Sequence, residues 1–158
     1  MGISQDTFRQ VLGTFCTGVT IVTFKSNNTS HGLTVNAFSS LSLDPALILI
    51  CIKKDGVSHK MLQDTNSFVV NILSEKQKDL ARHFANSNLS SDERFNGVTL
   101  KPDTPDPVFV DNLSYLACKI VNRFDGGDHS IFIGEVQEAG INGNERPLLY
   151  YRSEFPKI

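Results

Sequence analysis

From Gly32 to Asp44 the chain alternates apolar and polar residues with a period of two: Gly-Leu-Thr-Val-Asn-Ala-Phe-Ser-Ser-Leu-Ser-Leu-Asp. Leu33, Val35, Ala37, Leu41 and Leu43 fall on one side and Thr34, Asn36, Ser40 and Ser42 on the other, with Phe38 and Ser39 as the exceptions. A helix cannot gather such a pattern on one face, whereas a strand turns successive side chains to opposite faces of a sheet. The run is therefore expected to be one unbroken strand with a packed face and a face of uncharged hydroxyl and amide groups. That second face suits a neutral heteroaromatic ligand. It suits equally well the wetted side of an ordinary antiparallel strand.

Its neighbours set the fold class. Upstream, Phe8, Val11, Leu12 and Phe15 recur at helical spacing after Asp6-Thr7, predicting a short amphipathic helix that closes near Gly13 to Gly18. Val19 to Phe24 is β-branched and apolar, and the polar Ser26–Ser30 stretch reads as a hairpin loop of five residues or more. Downstream of Pro45, the continuous apolar run Ala46–Ile52 predicts a central strand buried on both faces. Asp55 is placed to cap a helix through Val57, Met61 and Leu62; Phe68–Leu73 reads as another strand; Ser74-Glu-Lys-Gln77 has the form of a capping box before Leu80, Ala81 and Phe84. The polar segment 87–111, with Pro102, Pro105 and Pro107, reads as an irregular wrap. Strands at Tyr115–Phe124 and Ser130–Val136 flank Asp-Gly-Gly-Asp at 125–128, a tight hairpin with positive φ available at both glycines, and a last strand lies near Leu148–Tyr151. Many strands with few helices predict a mainly β, antiparallel barrel or sandwich with peripheral helices, in a single domain over residues 1–158.

Composition removes several function classes. Fifteen basic and seventeen acidic residues give a net charge of −2 with no long run of either sign, which argues against nucleic acid and membrane surfaces. No apolar stretch reaches the roughly 20 residues that span a bilayer. Three well-separated cysteines, Cys16, Cys51 and Cys118, in apolar settings fit reduced core thiols and a cytoplasmic location. There is no nucleophile elbow, phosphate loop or dinucleotide fingerprint, and His31, His59, His83 and His129 lack metal-ligand spacing, so no metal site is expected.

Two places remain where chemistry can gather. In Lys53-Lys-Asp-Gly-Val-Ser-His-Lys60 a buried strand delivers cations and a hydroxyl to the start of a helix, where Lys53, Lys54, Ser58 and Lys60 can surround a phosphate. A plain solvated helix start would look the same. His129 follows the Gly126-Gly127 turn at the rim of the sheet with Asp128 beside it, a placement open both to a working imidazole and to a surface one.

With these residues in view, the chain resembles the flavin reductase family that adopts the FMN-binding split barrel, the antiparallel Greek-key fold of the short-chain reductase components of two-component flavin-dependent monooxygenases. The resemblance runs through Phe8-Arg9, Thr17–Thr23, Gly32–Pro45, Phe68–Leu73, His83-Phe84-Ala85, Gly127-Asp128-His129 and Ile133–Val136. It implies that Thr34, Val35, Asn36, Ala37 and Ser40 edge an isoalloxazine and ribityl chain, and that Cys51, Ile52, Lys53 and Ser58 reach toward the phosphate of FMN or FAD. It places His83, Phe84 and Ala85 nearby, with His129 on the NADH or NADPH side and Tyr151 and Phe155 as further nicotinamide contacts. It further implies a homodimer, a separate oxygenase component, and hydride transfer from nicotinamide C4 to flavin N5, for which the protein supplies orientation and exclusion of water. Two other readings stay open on the residues themselves: a flavin-binding electron carrier or storage protein without turnover, and a small barrel for another phosphorylated aromatic such as a pyridoxine phosphate.

Overall fold

The computed structural model describes residues 2–157. The alternating run is not one strand: it is divided between β3 (Thr29–Val35) and β4 (Phe38–Leu43), which form the two opposite edges of a seven-stranded antiparallel sheet. At the break Asn36 and Ala37 leave the ladder, their carbonyls accepting from the backbone N–H of Phe38 and of Cys51. Between the edges lie β2 (Thr20–Ser26), β6 (Ser67–Ile72), β7 (Ser114–Gly126), β8 (His129–Ile141) and β5 (Ala46–Lys53), in the order β3-β2-β6-β7-β8-β5-β4. A separate two-stranded sheet pairs β1 (Thr17–Gly18) with β9 (Leu149–Tyr150).

Curling of the large sheet makes the core. Val22, Phe24, Val35, Ile50, Phe68 and Phe132, drawn from five of its strands, belong to one buried cluster, so β3 and β5 meet across the core without sharing a ladder. The result is a barrel that stays split. Alternation at the far end does not hold: Leu41 and Leu43 are exposed, because β4 is an edge strand that pairs only with β5 among the described residues and a bulge shifts its register between Ser40 and Ser42.

Helices α1 (Gln5–Leu12), α2 (Val57–Gln63), α3 (Lys78–Ala85) and α4 (Ser91–Phe95) lie outside the sheet. A second buried cluster forms where Phe84 and Ala81 of α3, with Phe109, cover Ile21 and Leu73. That cover decides which strands are buried on both faces. These are β2, every residue of which from Thr20 to Phe24 is buried, and β6 beside it, buried from Phe68 to Asn71, whereas β5 keeps only Ile48, Ile50 and Ile52 fully inside and leaves Leu47, Leu49 and Cys51 half-buried. Nor is β5 central, for only β4 lies beyond it. Segment 87–111 is more ordered than its composition predicts, with α4 and a Leu100–Phe109 bridge, and it sends Val108 and Phe109 inside.

Local turns differ from expectation where one residue type takes an unusual φ. The β2–β3 hairpin closes on two residues, Asn27 and Asn28, at φ 51° and 63°, a left-handed pair that asparagine tolerates. In the β7–β8 turn Gly127 takes φ 74° and Gly126 does not, so one positive angle suffices. Helix α1 is capped one turn earlier than expected, by the Ser4 hydroxyl, and α2 begins after Gly56 because Asp55 is held by Lys53 at 2.7 Å instead of capping. Ser74 does open α3 as expected, its N–H donating to Gln77 Oε1 at 2.9 Å through one 3-10 turn. Cys118 is buried, but Cys51 is half-buried and Cys16 is exposed.

Candidate functional site

A cleft of about 620 Å³ opens where β3, the end of β5, the start of α2 and the α3–α4 connection converge. Thr34, Ile52, Lys53, Ser58, Phe84 and Ala85 all line it, so six of the sequence-predicted residues meet in one place although they come from four separate elements. Thr34 donates its hydroxyl to the Ala81 carbonyl at 2.6 Å, pinning β3 to α3 and leaving only acceptor capacity for the cleft. The Ser58 hydroxyl has no hydrogen-bond partner among the described residues, and the Lys53 ammonium pairs with Asp55, which with a smaller contribution from Asp128 raises its pKa.

The remaining predicted residues do not line this cleft. Val35 is in the core; Asn36, Ala37 and Ser40 are exposed just beyond Thr34, along the open edge. Cys51 alternates with Ile50 and Ile52 and so points to the outer face of β5, where partial burial raises its pKa. His83 braces the cleft wall from behind: its Nε2 lies 3.2 and 3.1 Å from the Glu93 and Arg94 carbonyls, which fixes the proton on that nitrogen.

His129 lies at the rim. It stands opposite Lys53 in the β5–β8 ladder, and its Nδ1 is 2.8 Å from the Asp128 carboxylate, which lowers the Asp128 pKa. Lys54 clamps the turn ahead of it through Asp125 and, at 2.6 Å, the Gly127 carbonyl. Tyr151 and Phe155 lie elsewhere: Tyr151 in a C-terminal turn closed on Glu154, and Phe155 against Tyr150 and the Arg82 flank of α3.

Three residues of the wall carry no sequence signal of their own. Arg94 projects from α4 and donates to the carbonyls of Gly32 (2.5 Å), Asn86 (2.8 Å) and Leu89 (3.2 Å), fastening α4 to β3. His31, stacked on Phe24, lies 3.1 Å from the Ser91 hydroxyl; burial, then Arg94, lowers its pKa. His59 packs against Ser130 and Phe132, and burial, then Lys54, lowers its pKa as well. Only the helical spacing of α4 could have hinted at Arg94, and nothing local at the others, since each is tied to the cleft wall by one distant partner, Gly32 for Arg94, Ser91 for His31 and Ser130 for His59.

Chemically, the cleft has apolar walls (Leu33, Ile52, Met61, Phe84), two cations (Lys53, Arg94) and, among the described residues lining it, no carboxylate. Flat aromatic surface and an anionic tail are what such a lining accepts, and its volume is in the range of ligand sites, roughly 300–1,000 Å³. An open seven-stranded sheet with this cleft at its split, and a Gly-Asp-His turn on the rim, is the split-barrel architecture that the resemblance implied.

The flavin reductase like domain matches residues 12–158, and the chain belongs to that family. Among its relatives is the reductase subunit HsaB of a flavin-dependent monooxygenase from Mycobacterium tuberculosis, 35% identical over 99% of this chain and 83% of that one. The reductase component of a 4-nitrophenol 4-monooxygenase/4-nitrocatechol 2-monooxygenase from Rhodococcus opacus is 36% identical over 97% of this chain and 80% of that one. Of solved structures, a Streptomyces globisporus NADH:FAD oxidoreductase in complex with NAD and FAD fragments superposes with a TM-score of 0.90 at 35% identity, covering 98% of this chain and 93% of that one.

Proposed function

We propose that this protein is an NAD(P)H-dependent flavin reductase that supplies reduced FMN or FAD to a separate oxygenase component. The observation that carries the reading is the cleft itself, whose carboxylate-free, part-apolar lining holds Lys53, Ser58 and Arg94, with His129 paired to Lys53 at the rim. A bound flavin supplies the hydride-accepting ring; no acid-base pair or nucleophile is required of the chain. What these residues do is hold and orient. Phe84, Ile52 and Leu33 offer apolar surface, and Lys53 and Ser58 bind phosphate oxygens. Asn36, Ala37 and Ser40 edge the ligand where it extends along the open split, and His129, fixed by Asp128, meets the nicotinamide. NADH, the donor in the names of several relatives, is the first to test.

The working unit is a homodimer. Helix α1 buries none of its residues, and Phe8, Val11, Leu12 and Phe15 are 50%, 59%, 54% and 75% exposed, an apolar surface that one copy leaves in water. No helix among the described residues is long and apolar enough to cross a membrane, and the free thiols, one of them exposed, fit a reducing cytoplasm.

Mixing the purified protein with FMN and NADH and following flavin absorbance tests the activity. Fast bleaching at catalytic protein concentration is expected. Flavin that binds but stays oxidised would make the protein a carrier, and absence of flavin binding would overturn both readings.

A further inference from the structure

His59 lies on the first turns of α2, 9% exposed, at the back of the cleft it helps line. Its Nε2 is 2.8 Å from the hydroxyl of buried Ser130 and 3.3 Å from the amide nitrogen of Gln63. An amide N–H can only donate, so Nε2 receives, and the neutral ring must carry its proton on Nδ1. Nδ1 has no partner. The one sealed polar side-chain atom without a hydrogen bond among the described residues is Thr17 Oγ1, so the His59 Nδ1–H is not sealed, and the cleft is the cavity that His59 lines.

A donor fixed by two neighbours, left unsealed on a residue that lines a part-apolar cleft, has the form of a ligand contact and not of a packing histidine, whose second nitrogen would be satisfied within the protein. We propose that His59 is a flavin-binding residue that donates its Nδ1–H to an oxygen acceptor of the bound flavin, with Ser130 and Gln63 as the positioning residues that set its tautomer. The inference rests on the cleft being the flavin site. It also ties both halves of that site together, since Ser58 precedes His59 and His129 precedes Ser130, so one hydrogen bond joins the phosphate-side helix to the strand that leaves the nicotinamide-side turn.

The test is flavin affinity, read by fluorescence quenching without NADH, for the full-length protein and four variants, with FMN and riboflavin as separate probes. His59→Gln keeps a polar atom where Nε2 sits but has none at Nδ1; its dissociation constant is expected to rise about five- to tenfold, the size of one lost neutral hydrogen bond. His59→Asn restores a donor near Nδ1 and is expected to stay within about threefold of the parent. Ser130→Ala is expected to weaken binding and to add nothing to His59→Gln in the double variant, because it acts through the same ring. Loss for FMN alone assigns the acceptor to the phosphate, and equal loss for riboflavin assigns it to the ring or ribityl chain. Unchanged affinity in His59→Gln, or equal loss in Gln and Asn variants, overturns the proposal. Should the His59 variants not fold, an unchanged affinity in Ser130→Ala does so. If the parent protein binds neither flavin, the cleft assignment itself has failed, a result distinct from these.

Discussion

Lys53 and His129 face each other across the antiparallel ladder of β5 and β8, which brings an ammonium at the mouth of the cleft and an imidazole at its rim onto adjacent strand ends. The two residues are far apart in sequence and each is unremarkable alone. Paired, they join the end of β5 that reaches the cleft to the start of β8.

Replacing His129 with Ala should separate the two binding events. The KM for NADH is expected to rise about tenfold while the dissociation constant for FMN stays within about twofold, since the imidazole lies at the rim and not in the cleft lining. Steady-state kinetics beside a fluorescence titration measure both, and equal losses would place His129 on the flavin side.

The double variant Lys53→Met, Ser58→Ala is expected to lose about tenfold or more in FMN affinity and to leave riboflavin within about twofold, because a phosphate loses a charged and a neutral donor while the ring loses neither. Raising the salt concentration should narrow the difference for FMN, as Lys53 is largely solvent-exposed. Equal weakening for both flavins would remove these residues from the phosphate.

Gly32 tests the fold and the cleft together. A methyl group there would meet Phe84 Cε1 at 2.7 Å and Thr23 Cγ2 at 3.3 Å, so Gly32→Ala must push the Phe84 ring away. Urea denaturation should show a loss of about 1–3 kcal/mol, with weaker flavin binding because Phe84 lines the cleft.

The three thiols should titrate in a graded way. Cys16 is exposed and is expected to react with a thiol reagent at once, whereas burial pushes Cys118 up to about 12 from the ordinary 9.0 and keeps it unreactive until the chain unfolds. In the unfolded chain Cys118 loses its proton first, so stability is intact below pH 9.0 and falls between there and about 12. The fall is at most about 1.4 kcal/mol per pH unit from this group. Denaturant melts of the parent and of Cys118→Ala, compared at pH 8 and above pH 9.0, measure it.

Val11→Asp on α1 is expected to turn a dimer into a monomer in light scattering, by placing a charge on the surface that one copy leaves 59% exposed. A monomeric parent protein, or a variant that still dimerises, would take α1 out of the interface.

Much of this was legible in the chain. Alternation at Gly32–Asp44, β-branched runs at Val19–Phe24 and Phe68–Leu73, the Ser74–Gln77 cap and the Gly126-Gly127 turn each act over a few residues, so composition and spacing are enough to fix helix, strand and turn. The cluster at Lys53–Ser58 was readable for the same reason, as a strand end followed by a helix start. What the chain could not reveal is which strand lies beside which. Asn36 and Ala37 divide one pattern into two edges, β2 and not β5 acquires cover on both faces, and Arg94 and His59 reach the cleft, because ladders and cores also join residues far apart in the chain, as Arg94 to Gly32, His59 to Ser130 and Lys53 to His129. Such pairing is decided by which apolar faces can be buried together and which backbone groups then find partners, a property of the whole folded chain and of no single segment.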